Sequence, residues 1–182
     1  EIKPSVREVM EDMMVDTANL LAEVASDDLA SGQLARDASQ SRFAQRVRHY
    51  ATRPIDAGIW GFSKQSLDFR VYVTDHQGRV LFDSENQAVG ADYSQWRDVA
   101  RTLRGEYGAR STREVAGDDT SGVMHVAAPI YVDERIAGVL TVAKPTRTVQ
   151  RFIDRAERKV FMGGLLLLAL SAAVGVAVTL WM

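Results

Sequence analysis

Polar side chains that could bind a ligand interrupt several apolar segments that alternate with β-strand spacing. Arg110 and Thr112 share one face of their predicted strand, because side chains two residues apart point the same way. His125 lies in the middle of another predicted strand, Tyr72 lies in a third, and Lys144 precedes a proline, from where it could reach a pocket mouth or pair with an acidic neighbour. Two interpretations remain open: these side chains form the wall of a ligand pocket, or they satisfy one another and face water.

Catalytic chemistry finds no support in the sequence. His49, His76 and His125 fall in separate predicted elements without the spacing of metal ligands, and the chain has no cysteine. No nucleophile motif and no glycine-rich phosphate loop occurs. We therefore expect no catalytic residues, no metal site and no cofactor in this chain.

The elements that position these residues begin with a long helix, predicted over about 5–26. One stripe of this helix has the 4, 3, 4, 3, 4 spacing that is typical of a coiled-coil seam. Its members are Val6, Met10, Met13, Thr17, Leu20 and Val24. The stripe predicts either packing of the helix on its own domain or a seam shared with a second copy in a homodimer.

A second helix is predicted over about 33–52 and is ended by Pro54, and an irregular segment follows over 55–62. From residue 69 the apolar period changes to two, which predicts strands over 69–74, 79–82, 107–115, 123–130 and 136–143. A short helix ending near Gly105 separates the first two strands from the other three. The predicted fold class is α+β, with a five-stranded antiparallel sheet over about 69–144 in a domain that covers 1–145.

Charge is absent from the end of the chain. The sequence has 22 basic and 24 acidic residues, for a net charge of −2, and none of them lies in the 22 residues of 161–182. An uncharged apolar segment of this length can cross a hydrocarbon core of about 30 Å as a helix. The sequence therefore predicts a transmembrane helix over 161–182.

An exit helix is predicted over 146–160, between the sheet and this span. Pro145 ends the last strand, and the apolar positions Val149, Ile153 and Ala156 follow at helical spacing. The helix carries five basic and two acidic residues, a net charge of +3, which leaves −5 for the rest of the chain. A basic collar beside a span favours contact with lipid headgroups, and the acidic globule argues against nucleic-acid binding.

Several segments resemble the extracytoplasmic PDC/Cache sensor domains. The hairpin VYVTDHQGRVLFDS at 71–84 and the segments AAPI at 127–130 and IAGVLTVAKP at 136–145 are similar to their central and last hairpins. The segments VDTANLLAE at 15–23, VGADYSQW at 89–96 and TLRGEYGARST at 102–112 more narrowly resemble the sensor region of CreC-type two-component sensor histidine kinases. The resemblance covers nearly the whole chain.

The resemblance implies a sensor domain in the bacterial periplasm, with residues 1 to about 160 outside the inner membrane, a pocket on the sheet and a homodimeric assembly. It also implies that a kinase, which is not in this chain, passes the signal to a response regulator. Related sensors of carboxylates hold their ligands with Arg, His and hydroxyl side chains, which here would be Tyr72, Arg110, Thr112 and His125, with Lys144 at the pocket mouth.

Two alternatives to a kinase input module remain. The chain could be a tail-anchored interaction protein, or the same sensor fold could feed a chemoreceptor or a cyclase. The basic collar also conflicts with the implied orientation, since basic flanks are usually cytoplasmic. The implied mechanism is a small shift of the exit helix between two arrangements of a dimer.

Overall fold

The computed structural model describes residues 4–59, 62–65, 68–113 and 121–146, together with Ser171. These residues form four helices and seven strands, and the strands belong to a two-stranded and a five-stranded sheet. The α+β class and the five-stranded antiparallel sheet predicted from the sequence are confirmed.

Helix α1 spans Pro4–Ala30, so it continues past the end predicted near residue 26. It lies across the two longest strands of the large sheet, β6 (Gly122–Val132) and β7 (Arg135–Pro145). The side of α1 that is buried carries mostly small residues at a spacing of three or four: Met10, Met14, Ala18, Ala22 and Ala25. Small side chains let the helix axis approach the sheet closely.

The second predicted helix is two helices, α2 (Gln33–Asp37) and α3 (Arg42–Thr52), and the prediction of one continuous helix over 33–52 is wrong. Ser41 starts α3 because its hydroxyl accepts a hydrogen bond from the backbone amide of Ala44 at 3.1 Å. That hydroxyl also donates to the carboxylate of Asp28 in α1 at 2.5 Å. The new helix start therefore ties α3 to α1.

The segment predicted to be irregular forms a small hairpin. Its strands are β1 (Ala57–Ile59) and β2 (Phe62–Lys64), which pair antiparallel. Among the described residues, the hairpin shares no ladder with the large sheet.

The large sheet is built from β3 (Arg70–Asp75), β4 (Val80–Asp83), β5 (Gly108–Arg113), β6 and β7 in the order β4-β3-β7-β6-β5. All neighbouring strands are antiparallel. Because β7 lies at the centre, the last strand of the domain contacts both halves of the sheet.

Helix α4 (Arg97–Leu103) covers the face of the sheet opposite α1. It approaches β5 so closely that a Cβ atom at Gly108 would collide with the carbonyl oxygen of Asp98 and the hydroxyl of Thr102. The short helix predicted before Gly105 is confirmed, and Gly105 follows it with a φ of +78°. The sheet is thus enclosed between α1 and α4.

Strand β7 ends at Pro145, as predicted. Thr146 then hydrogen-bonds the carbonyl oxygen of Gly122 through its amide at 2.8 Å and its hydroxyl at 2.9 Å. The exit helix with Val149, Ile153 and Ala156 lies outside the described residues, and so does the predicted span over 161–182 apart from Ser171. Among the residues that are described, no helix combines the length and the apolar character needed to cross a membrane.

Candidate functional site

Strand register brings most of the predicted ligand residues onto the face of the sheet that α4 covers. Arg110 of β5 lies directly opposite His125 of β6. Tyr72 of β3 lies opposite Thr141 of β7, and the pairing across β6 and β7 keeps all four side chains on one face. Asp98 of α4 is placed above them and has no exposed surface. The structure therefore brings Tyr72, Arg110 and His125 together on one face, and their role in ligand binding stays a prediction.

The carboxylate of Asp98 is the common acceptor of this polar network. Arg110 Nε donates to Asp98 Oδ1 at 2.7 Å. Tyr72 and Thr141 donate their hydroxyls to the other carboxylate oxygen, Thr141 at 3.3 Å. A carboxylate buried without such partners would be strongly destabilising, so the three donors and Asp98 hold one another in place.

The network places Tyr72 in a strongly perturbed environment. Burial raises the pKa of its phenol well above the usual value, and the nearby negative charge of Asp98 raises it further. Tyr72 is therefore protonated near pH 7 and donates its hydroxyl to Asp98.

His125 extends the network towards Thr112. Arg110 Nη2 lies 3.2 Å from His125 Nδ1, and Thr112 Oγ1 lies 3.0 Å from Nε2. A guanidinium can only donate, so Nδ1 accepts and the ring proton is on Nε2, which donates to Thr112. Burial, and then the positive charge of Arg110, lower the pKa of His125 to about 4. The imidazole is therefore neutral near pH 7 and does not titrate there.

Aromatic rings enclose the outer side of Arg110. The centre of its guanidinium lies 4.1 Å from the centroid of the Trp96 ring. The Tyr93 ring stacks on the Trp96 ring, with the two centroids 3.5 Å apart. The stacked rings fix the guanidinium plane and keep the Arg110 side chain only 16% exposed.

Lys144 does not join this cluster. It lies opposite Met124 in the β6–β7 ladder, and thus on the α1 face of the sheet. Its ammonium group lies 4.4 Å from the centroid of the Phe69 ring, and burial together with Lys64 lowers its pKa. The side-chain alternation along β7 separates Lys144 from the predicted pocket.

Sequence reasoning missed Asp98 and Thr141, and with them the acceptor at the centre of the network. Asp98 lies beside Val99 and four residues before Thr102, and both of these are buried in α4. The helical period could therefore have assigned Asp98 to the sheet-facing side. Thr141 lies opposite Tyr72 only because β3 pairs with the distant β7, which no local pattern reveals.

A second ion pair occupies the same face of the sheet, near its β4 edge. Arg70 donates to both oxygens of Asp83, at 3.0 and 2.7 Å. Asp83 also accepts the backbone amides of Gln87 at 3.0 Å and Ala88 at 2.9 Å. Burial alone would raise the pKa of Asp83, but these hydrogen bonds outweigh it and lower the pKa. Asp83 therefore holds the first residues of the loop that leads from β4 towards α4.

In this structure the Asp98 network leaves no place for a ligand carboxylate. The donors that could bind a ligand carboxylate, Tyr72 and Arg110, are already bound to the carboxylate of Asp98. A ligand carboxylate at this position must therefore displace Asp98, and with it α4. The chemistry available is hydrogen bonding and charge pairing.

Solved structures with the same fold are sensor domains. The V. cholerae histidine kinase DctB sensor domain matches with a TM-score of 0.56 at 15% identity, covering 81% of this chain and 53% of that chain. The E. coli DcuS sensor domain matches with a TM-score of 0.51 at 19% identity, covering 80% of this chain and 98% of that one. The predicted PDC/Cache sensor fold is confirmed.

A curated relative matches every part of the sequence. The sensor protein CreC of Escherichia coli K12 is 45% identical over 181 residues, which cover 100% of this chain. The chain is similar to CreC over its whole length. It spans 37% of the length of CreC, and no family model matches it. The resemblance stated from the sequence is confirmed.

Proposed function

We propose that the chain is the signal-input domain of a CreC-like sensor histidine kinase and that it lies on the periplasmic side of the inner membrane. The observation that carries the proposal is the 45% identity to CreC over the whole chain. The sensor-domain fold supports it independently. The kinase belongs to the longer protein, and the response regulator that receives its signal is a separate partner.

The network around Asp98 provides the path from a signal to the output. Asp98 lies on α4, and its partner Thr141 lies on β7, whose end leads towards the predicted exit helix. A signal that moves α4 therefore pulls on the central strand of the sheet. At the end of β7, Thr146 is bonded to Gly122, so that movement of β7 reaches the exit through a defined contact.

The input domain acts by shifting a population between two arrangements rather than by chemistry. In one arrangement Asp98 holds α4 on the sheet, and in the other this contact is weakened. The predicted exit helix 146–160 and span 161–182 carry the difference through the membrane as a small displacement. The basic collar of this helix contacts the lipid headgroups.

A homodimer is part of the proposal, and the exposed side of α1 is its candidate seam. Met13, Leu20 and Val24 of the predicted seam are 65%, 67% and 57% exposed, and Val9 beside them is 62% exposed. Met10 faces the core of its own domain instead. Exposed apolar residues along one helix support a seam with a second copy. The side chain of Val6 lies outside the described residues.

The experiment that tests the proposal replaces the matching region of E. coli CreC with this chain and measures autophosphorylation of the chimera. Asp98→Asn removes the charge that holds Arg110, so we expect the basal output to change about threefold or more, since a weakened network shifts the two-state balance. Asp133→Asn is the matched control, because Asp133 is an exposed turn residue with a φ of +48° that asparagine tolerates. Equal output from both variants and the parent chimera would refute the proposal.

A further inference from the structure

A cleft of about 390 Å³ opens beside β5, which is the outermost strand of the large sheet among the described residues. It is bounded by α1 on one side and α4 on the other. It adjoins the closed network on the sheet face beneath α4 and shares Arg110 with it. Its lining is mainly basic and polar: Arg7, Glu11, Arg97, Arg101, Tyr107, Ala109, Arg110, Ser111 and Met124.

Positive charge in the cleft exceeds its internal compensation. Among the described residues, the lining carries four guanidinium groups and one carboxylate, that of Glu11. Arg110 is paired with Asp98 and Arg101 with Glu106, and counting these outer carboxylates still leaves four minus three, or one, positive charge. The Arg101 pair is exposed on both sides, so it neutralises little of the field in the cleft.

Two of the arginines are available to a ligand. Arg7 donates to the neutral hydroxyl of Ser111 at 2.9 Å, which leaves its charge without compensation by that contact. The side chain of Arg97 has no hydrogen bond or ion pair with any residue that the structure describes. The Tyr107 hydroxyl donates a hydrogen bond to Glu11 Oε1 at 2.5 Å. This contact holds the carboxylate towards one side of the cleft.

We infer that the cleft binds a compact anion with several oxyanion groups, of the phosphate or polycarboxylate type. Planar guanidinium groups offer paired N–H donors that match the oxygens of such groups. Ala109 and Met124 provide little apolar surface, which disfavours a ligand with a large hydrocarbon part. The volume admits a small molecule but not a folded partner.

Binding in the cleft bears on the closed network, because Arg110 belongs to both. An anion that attracts the Arg110 guanidinium competes with Asp98 for it and so loosens the hold of α4 on the sheet. In this sense the inference rests on the proposed function and names the class of signal. Binding itself is a property of the chain, and it is measured without any kinase.

The test is calorimetric titration of the 182-residue chain in non-ionic detergent with inorganic phosphate and, separately, with citrate, at constant ionic strength. Arg97→Gln and Arg7→Gln should each weaken binding about fivefold or more, since each removes a charged donor from the cleft. Arg42→Gln is the matched control, because Arg42 is exposed on α3 and does not line the cleft. The thermal midpoint of each variant without ligand verifies folding.

The inference is supported if either anion binds and if Arg97→Gln and Arg7→Gln weaken this binding while Arg42→Gln does not. The anion that binds more tightly shows whether the ligand is of the phosphate or of the polycarboxylate type. Binding of neither anion at millimolar concentration overturns it. Equal weakening in all three variants also overturns it, since this shows attraction by net charge alone. These outcomes are independent of the chimera assay, so the binding site and the signalling role fail separately.

Discussion

At the residue scale, two buried threonine hydroxyls on the sheet face beneath α4 differ in their hydrogen-bond partners. Thr141 donates to Asp98 at 3.3 Å, whereas the buried hydroxyl of Thr74 on the same sheet face has no partner among the described residues. Replacement by valine removes either hydroxyl at nearly constant volume. The two threonines therefore form a matched pair that isolates the contribution of the network.

We predict that Thr141→Val lowers the free energy of unfolding by about 1–2 kcal/mol, because Asp98 loses one donor while it remains buried. Thr74→Val should leave stability unchanged or raise it by up to about 1 kcal/mol, because a buried hydroxyl without a partner is lost. Urea unfolding of the two variants measures the difference. Equal destabilisation by both would show that the Asp98 contact contributes nothing.

The pH dependence of stability tests the environment of His125. Its pKa in the folded domain is about 4, below the value of about 6.5 expected in the unfolded chain. Between these values only the unfolded state binds the proton, so the free energy of unfolding should fall as pH drops from 6.5 to 4, by about 2–3 kcal/mol. The thermal midpoint, measured between pH 6.5 and 4, reports this loss of stability. His125→Gln should make the fall in midpoint smaller, whereas His76→Gln, at an exposed turn, should leave it unchanged. The same slope in both variants would contradict the assignment of a buried neutral imidazole.

At the scale of elements, the seating of α4 requires glycine at 108. A methyl group there would collide with the backbone of Asp98 and the side chain of Thr102. We predict that Gly108→Ala destabilises the domain by about 2–3 kcal/mol, since α4 must move outward. Gly58→Ala is the control, because no atom lies within 4 Å of its added Cβ. Thermal unfolding compares the two, and a Gly108→Ala midpoint equal to that of Gly58→Ala would show that α4 does not need this close contact.

The elements also show where sequence patterns are sufficient. Alternation over 69–74 and 123–130 predicted β3 and β6 to within a few residues, because the two-residue alternation of apolar side chains is a local signal that is typical of a strand. The seam on α1 was read from its larger residues, which placed Met10 with Met13, whereas alanines at 18, 22 and 25 line the buried side. Asp98 escaped prediction because its role depends on the packing of a short helix on a sheet whose strand order is set by distant pairings.

At the scale of the whole molecule, the exposed apolar side of α1 predicts assembly. Leu20→Glu should lower the dimer fraction of the chain about tenfold, since it places a charge in a seam that excludes water. Val89→Glu introduces the same change at a residue that is 55% exposed on a loop away from α1, and it should leave the dimer intact. Sedimentation in detergent at several concentrations measures both. A dimer fraction unaffected by Leu20→Glu would place the seam elsewhere.

The central claim is that the Asp98 network transmits the state of the sensor domain to the end of β7. The most direct test measures autophosphorylation of the CreC chimera carrying Thr141→Val or Thr74→Val, at a temperature well below both thermal midpoints. We expect Thr141→Val to change the output about threefold or more, because it removes the hydrogen bond between β7 and Asp98 of α4, while Thr74→Val matches the parent. Identical output from both variants and the parent would contradict the account.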